Sequence, residues 1–233
     1  MNLWESSLIH QLASQFKVII FDNRGIGSSS IGTKAFSIER LCEDTAGLMD
    51  ALGIQQAHVI GWSMGALIAQ ELVLRHSSKV NKLILYSAFC SGEMFPPSSE
   101  LMKQLTDMTG SPQERGMRFI DALFPDSWIQ NNGKRIGEIF FHPMGNIPEE
   151  TVGKQAEAIA AWKGSCNRLC EIRTPVLLIT GAEDCLVVSK NSHFMSDKIL
   201  HSQLVLIENS GHGLMFQYPE IFCEQVVGFL EKS

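Results

Sequence analysis

Five short, nearly uninterrupted apolar runs, separated by helix-like stretches, constrain this chain more than any other feature. They are KVIIFD (17–22), HVIGW (58–62), KLILYS (82–87), PVLLIT (175–180) and QLVLIE (203–208). A strand with one wet face alternates apolar and polar residues, whereas a strand covered on both faces does not. The runs therefore predict strands sandwiched between helices. SIERLCEDTAGLMDALG (37–53) has Leu41, Thr45, Leu48 and Leu52 at helical spacing, with Ser37 suited to cap its start and Gly53 its end. MGALIAQELVLRH (64–76) is apolar nearly all round and predicts a buried helix. YPEIFCEQVVGFLEK closes the chain, with Pro219 suited to a first helical turn. Strands alternating with helices predict an α/β fold with a mostly parallel, doubly wound sheet.

Residues 92–170 break this rhythm. They hold helix-like pieces rich in Met, Phe and Trp and no convincing strand. They predict a helical cap inserted between two parts of a core, 1–91 and 171–233. A chain of 233 residues with 45% hydrophobic and 19% charged residues can fill such a core. The net charge of -6 and the lack of a Lys/Arg run argue against a nucleic-acid partner. The N-terminus has no cationic segment ahead of its apolar residues, and no apolar run is long enough for a membrane span. The expected location is cytoplasmic, with no membrane partner. The six cysteines, Cys42, Cys90, Cys166, Cys170, Cys185 and Cys223, show neither CxxC nor Cys/His ligand spacing. They are expected as free thiols with no metal, Cys166 and Cys170 as neighbours on one helix face.

One stretch carries chemistry. Gly61-Trp62-Ser63-Met64-Gly65 matches G-x-S-x-G at a strand-to-helix junction. That context predicts a strained turn presenting the Ser63 hydroxyl as a nucleophile, with small residues two before and two after allowing close strand–helix approach. The following helix turns its positive end toward developing charge, and the Met64 N–H becomes an oxyanion donor. A serine hydroxyl needs a base at neutral pH. His212, between Gly211 and Gly213 directly after the last strand, stands where α/β sheets place their sites. His10, His58, His76, His142, His193 and His201 fall on regular elements or in other stretches. The base needs an acid to hold its tautomer. Asp184, after PVLLIT, is the choice, ahead of Glu183 and then Glu93.

With the order Ser63, Asp184, His212, the chain resembles the α/β-hydrolase superfamily along its whole length. Phe21-Asp22-Asn23-Arg24-Gly25-Ile26-Gly27-Ser28 resembles the D-x-R-G-x-G-x-S loop of its esterase, enol-lactonase, epoxide-hydrolase and haloperoxidase-like branches, and is assigned a structural role. Ala161-Trp162-Lys163-Gly164, with Ile172 and Pro175, resembles the cap exit of enol-lactonase-like members. Ser63 in place of an aspartate argues against epoxide hydrolases and haloalkane dehalogenases. The resemblance implies a serine hydrolase acting on a small or medium ester or lactone, with no cofactor. C–C bond hydrolysis, perhydrolysis and ligand binding without catalysis are the rival readings. Met94, Phe95, Phe119, Phe124, Trp128 and Trp162 are candidate pocket residues.

The chain departs from the family twice. Val187-Val188 stand where members often carry proline. WESSLIHQLASQF resembles a helix that in the family follows two or three more strands and a His-Gly-rich loop, so a shortened member is expected. The resemblance implies loss of a second oxyanion donor, typically worth about 10²–10³ in rate. It also implies a missing strand between KVIIFD and HVIGW, each of which would lose ladder partners.

Overall fold

The computed structural model describes residues 4–107, 109–140 and 149–232. Helix α1 (Ser6–Ala13) starts the described chain, capped by the Glu5 carboxylate, which accepts the N–H groups of Ser7 and Leu8. Helix α2 (Ile38–Ala51) follows. The Ser37 hydroxyl accepts Arg40 N–H at its start and Gly53 lies at φ +69° beyond its end, as the capping residues predict. Its buried seam runs through Ile38, Leu41, Cys42, Ala46 and Met49, while Leu52 is 54% exposed. Strand β1 (Ala57–Trp62), helix α3 (Met64–Arg75) and strand β2 (Val80–Tyr86) form the first crossover.

Among the described residues, five α-helices then occupy the interruption: α4 (Ser99–Thr106), α5 (Pro112–Leu123), α6 (Asp126–Asn131), α7 (Gly133–Phe140) and α8 (Glu149–Ala161). Residues 92–170 contain no strand among those described. The chain returns through β3 (Val176–Gly181), α9 (Lys190–Lys198), β4 (Ser202–Ile207), α10 (Leu214–Gln217) and α11 (Pro219–Glu231). No helix among the described residues is long and apolar enough to cross a membrane.

The four strands are parallel, and their spatial order follows the chain, β1-β2-β3-β4. Side chains alternate across a strand, so each continuous apolar run feeds two cores. Leu83, Leu85, Val176 and Leu178 point to one face, against Leu41, Leu67, Leu72 and Met195 of α2, α3 and α9. Ile84, Tyr86, Leu177 and Ile179 point to the other, against Leu8, Phe222, Val226 and Phe229 of α1 and α11. Ile120, Leu123, Trp128 and Ile136, from α5, α6 and α7, join this second cluster.

Two expectations require correction. Residues 17–22, expected as a strand, form no ladder. β-Propensity gives an extended backbone, but a strand also needs a neighbour. Lys17–Asp22 and Ala57–Trp62 instead line one cavity, and among the described residues β1 pairs only with β2. Ile19 and Phe21 are each 42% exposed there. The cysteines are not all free thiols: Cys90 and Cys166 are disulfide-bonded across 76 residues of chain, with Cα atoms 5.0 Å apart. They meet where the chain leaves β2 and where it returns toward β3, beside the Ser165 N–H bond to the Cys90 carbonyl (2.8 Å). Cys166 and Cys170 share a short 3-10 helix, Cys166–Glu171, in which Cys170 stays free and exposed.

Candidate active site

Ser63 lies between the end of β1 and the start of α3 at φ 53° and ψ -120°. A non-glycine residue with positive φ pays a conformational cost, here held in place on both sides. The Ser63 N–H donates to the Tyr86 carbonyl at 3.0 Å, and its own carbonyl accepts Ala66 N–H at 2.9 Å. The flanking glycines are not equivalent, contrary to the expectation from the motif. A Cβ at Gly61 would sit 2.4 Å from the Gly65 carbonyl oxygen and 2.8 Å from Ala66 Cα, so strand and helix touch there. At Gly65 a Cβ would meet nothing within 4 Å, because this residue borders the cavity. Met64 is the first residue of α3, where main-chain N–H groups have no intrahelical acceptor.

His212 follows β4 and is buried. Its Nδ1 lies 2.9 Å from Oδ2 of Asp184, itself buried in the turn after β3. The other carboxylate oxygen, Oδ1, accepts the N–H groups of Leu186 (3.0 Å) and Val187 (2.8 Å). Glu183 and Glu93, the lesser candidates for the acid, are both exposed. The glycines beside His212 serve close packing: a Cβ at Gly213 would lie 2.3 Å from the Phe124 ring, and the Gly213 N–H donates to the Leu123 carbonyl at 2.8 Å. The end of α5 therefore presses on the histidine loop.

Ser63, Met64 and His212 line one cavity of about 830 Å³, which continues between residues 17–23 and β1. No hydrogen bond joins Ser63 Oγ to the imidazole. In ligand-free sites such contacts are often long and tighten when substrate binds. Of the six candidate pocket residues, Phe119 lines the cavity. Phe124 and Trp128 stack at 4.6 Å in the second core cluster, Trp162 is buried in the first, Phe95 packs on Phe194, and Met94 is exposed. Leu123, Ile139, Phe140, Leu186 and Phe216 line the cavity without having been singled out in the sequence.

The remaining histidines have other surroundings. His10 bonds the Ser6 carbonyl, His76 pairs with Glu43, and His58 stands edge-on to Phe16. His193 lies within α9, and His142 falls outside the described residues. The Asp22–Ser28 loop is a clamp: Arg24 makes a two-pronged pair with Asp44 of α2 (2.7 and 2.8 Å) and donates to the Ile31 carbonyl.

The chain as a whole resembles known proteins. Residues 1–131, more than half the chain, match the family described as alpha/beta hydrolase fold. The chain belongs to that family. Among curated α/β hydrolase relatives, "Putative carbamate hydrolase RutD" of Azorhizobium caulinodans is 27% identical over 222 residues, covering 95% of this chain and 83% of its own. The protein of the same name from Pseudomonas savastanoi pv. phaseolicola is 25% identical over 221 residues, covering 94% and 85%. Among solved structures, a thermophilic esterase from Thermogutta terrifontis superposes with a TM-score of 0.83 at 24% identity, covering 98% of this chain and 84% of its own. The enol-lactonase of Burkholderia xenovorans LB400 superposes at 0.81 and 22% identity, covering 100% and 89%. These likenesses show the fold and a hydrolase of this family.

Local pattern in the sequence leads to Ser63, Asp184 and His212, but not to the groups that hold them. Tyr86, Leu186 N–H and Val187 N–H carry no motif. The one sequence signal for Tyr86 is a hydroxyl-bearing ring at the end of the apolar run KLILYS.

Proposed function

We propose that this α/β hydrolase is a serine hydrolase that cleaves a small or medium carboxylic ester or lactone through an acyl-enzyme on Ser63. The observation that carries the reading is the buried Asp184–His212 pair sharing a cavity with a serine held at positive φ ahead of a helix. His212 takes the proton of Ser63 as the oxygen attacks the carbonyl carbon. The Met64 N–H and the end of α3 stabilise the oxyanion. The proton passes to the leaving oxygen, and water, activated by the same imidazole, releases the acid. Asp184 holds the ring and balances the imidazolium. Residues 92–170 act as a cap over this rim, presenting Phe119, Leu123, Ile139 and Phe140 to the acyl or alcohol portion.

A second reading has its own support. Relatives at 25–27% identity are named for carbamate hydrolysis, and a carbamate carbonyl can be attacked by the same three groups. Fluorophosphonate labelling of the wild type and of Ser63→Ala tests the common mechanism, and a panel of esters, lactones and carbamates separates the two readings. Labelling that survives Ser63→Ala, or a folded wild type that stays unlabelled, would overturn both.

A further inference from the structure

Tyr86, the last residue of β2, is fully buried and bonds to both halves of the site. Its carbonyl accepts the Ser63 N–H at 3.0 Å. Its phenol donates to the main-chain carbonyl of His212 at 2.5 Å and accepts the Met215 N–H at 3.2 Å. The ring stacks on Trp62 (5.6 Å between centroids, 10° between planes) and packs on Phe222 at 4.9 Å. Trp62 in turn lies 5.6 Å from the His212 ring. The residue before the serine, the residue that receives the serine N–H and the histidine thus form one aromatic cluster, Trp62 stacked on Tyr86 and tilted 37° to His212, with the Tyr86 phenol donating one hydrogen bond and accepting another.

We propose that Tyr86 is a positioning residue: its phenol fixes the His212 loop at a set height above the Ser63 turn, and its carbonyl fixes the turn to the same strand. The inference rests on the triad reading. The stoichiometry of the phenol suits the role, since one O–H donates to His212 and one lone pair receives Met215. Burial pushes the phenol well above its ordinary pKa, so it stays a donor wherever the protein is folded. Asp184 fixes only the far side of the imidazole. The Tyr86 bond fixes the backbone from which that ring projects, the part a swinging loop would move first.

Tyr86→Phe keeps the stack and removes both phenol bonds. A shift of about 1 Å in a reacting group can cost about 10² in rate, so kcat for an ester substrate should fall about 10- to 100-fold with KM nearly unchanged, the signature of a lost transition-state interaction. The His212 Nδ1 proton, followed by NMR, should exchange faster. Tyr218→Phe is the control, since Tyr218 OH contacts only the Asn209 carbonyl at 3.3 Å among the hydrogen bonds described. Should Tyr86→Phe fail to fold, the chain's two tyrosines offer another route. Fluorotyrosine incorporated into Tyr218→Phe alters the phenol at Tyr86 alone, and the His212 proton should shift.

Unchanged turnover and an unchanged His212 proton in Tyr86→Phe would overturn the proposal. So would lost turnover with an unchanged His212 proton, which would make the role structural only, and so would a His212 proton indifferent to fluorination. A wild type that is inactive and unlabelled removes the triad reading, and the contribution of Tyr86 to turnover falls with it. The NMR comparison alone then reports whether the phenol holds the loop.

Discussion

Replacing Gly61 by alanine is a sharp test of how the serine turn is built. The added Cβ would stand 2.4 Å from the Gly65 carbonyl oxygen, 2.6 Å from the Gly65 carbonyl carbon and 2.8 Å from Ala66 Cα. All three are main-chain atoms, so no side chain can rotate out of the way. Reaching ordinary contact requires β1 and the first turn of α3 to separate by about 1 Å. Overpacking of this kind costs about 1–3 kcal/mol. For a chain of this size that lowers Tm by about 2–12 °C. Among the described residues β1 pairs only with β2, so it can yield, which argues for the lower half of that range. Activity is the more sensitive measure, because Ser63, the proposed nucleophile, lies between the two separating segments and a shift of this size costs about 10² in kcat. Gly65→Ala is the matched comparison. Its Cβ would meet nothing within 4 Å, and alanine is preferred to glycine in a helix by up to about 1 kcal/mol. Its Tm should hold or rise, with any kinetic change appearing in KM because position 65 borders the cavity. Thermal unfolding by circular dichroism and hydrolysis of a chromogenic ester measure both variants. A Gly61→Ala protein with wild-type Tm and turnover, or a Gly65→Ala protein that melts lower than Gly61→Ala, would refute the reasoning.

Ser63→Gly should raise Tm by a few degrees while abolishing activity, since relieving a strained positive φ returns about 1 kcal/mol after the added chain entropy of glycine; a lowered Tm would show that the turn is unstrained. Reducing or deleting the Cys90–Cys166 disulfide opens a loop of 76 residues, which should cost roughly 2–4 kcal/mol and about 5–15 °C in Tm; equal melting with and without reductant would contradict this. Glu71 of α3 is buried; burial raises its carboxyl pKa, but bonds from Arg168, Arg75 and Trp162 outweigh it and hold the pKa below the usual range. A depressed folded-state pKa contributes stability that is present above the unfolded value, about 4.3, and lost as pH falls through the folded value. Glu71→Gln should therefore melt well below wild type at pH 7 and closer to it at pH 3; a gap that widens on acidification would reverse the assignment.

What was legible in the sequence is short-range. β1, β2, β3 and β4 stand where apolar runs predicted strands, because a run covered on both faces is a local compositional fact. Ser37 and Gly53 close α2 as capping chemistry requires. The Gly61–Gly65 stretch announced a strand–serine–helix turn because the steric demand falls within five residues, although only one of the two glycines meets it. Tertiary structure decided the rest. KVIIFD has the composition of a strand but forms no ladder, since pairing belongs to two segments and not to one. Cys90 and Cys166 are joined across 76 residues, and no spacing rule reaches that far. Asp184 already stood ahead of Glu183 in the sequence, but its burial and its contact with His212 come only from the tertiary structure. Tyr86 gained its place in the site from a bond to a residue 126 positions away. Local sequence sets which backbone conformations and side chains are available. Which polar groups end up paired depends on elements that meet only when the sheet and its helices are assembled.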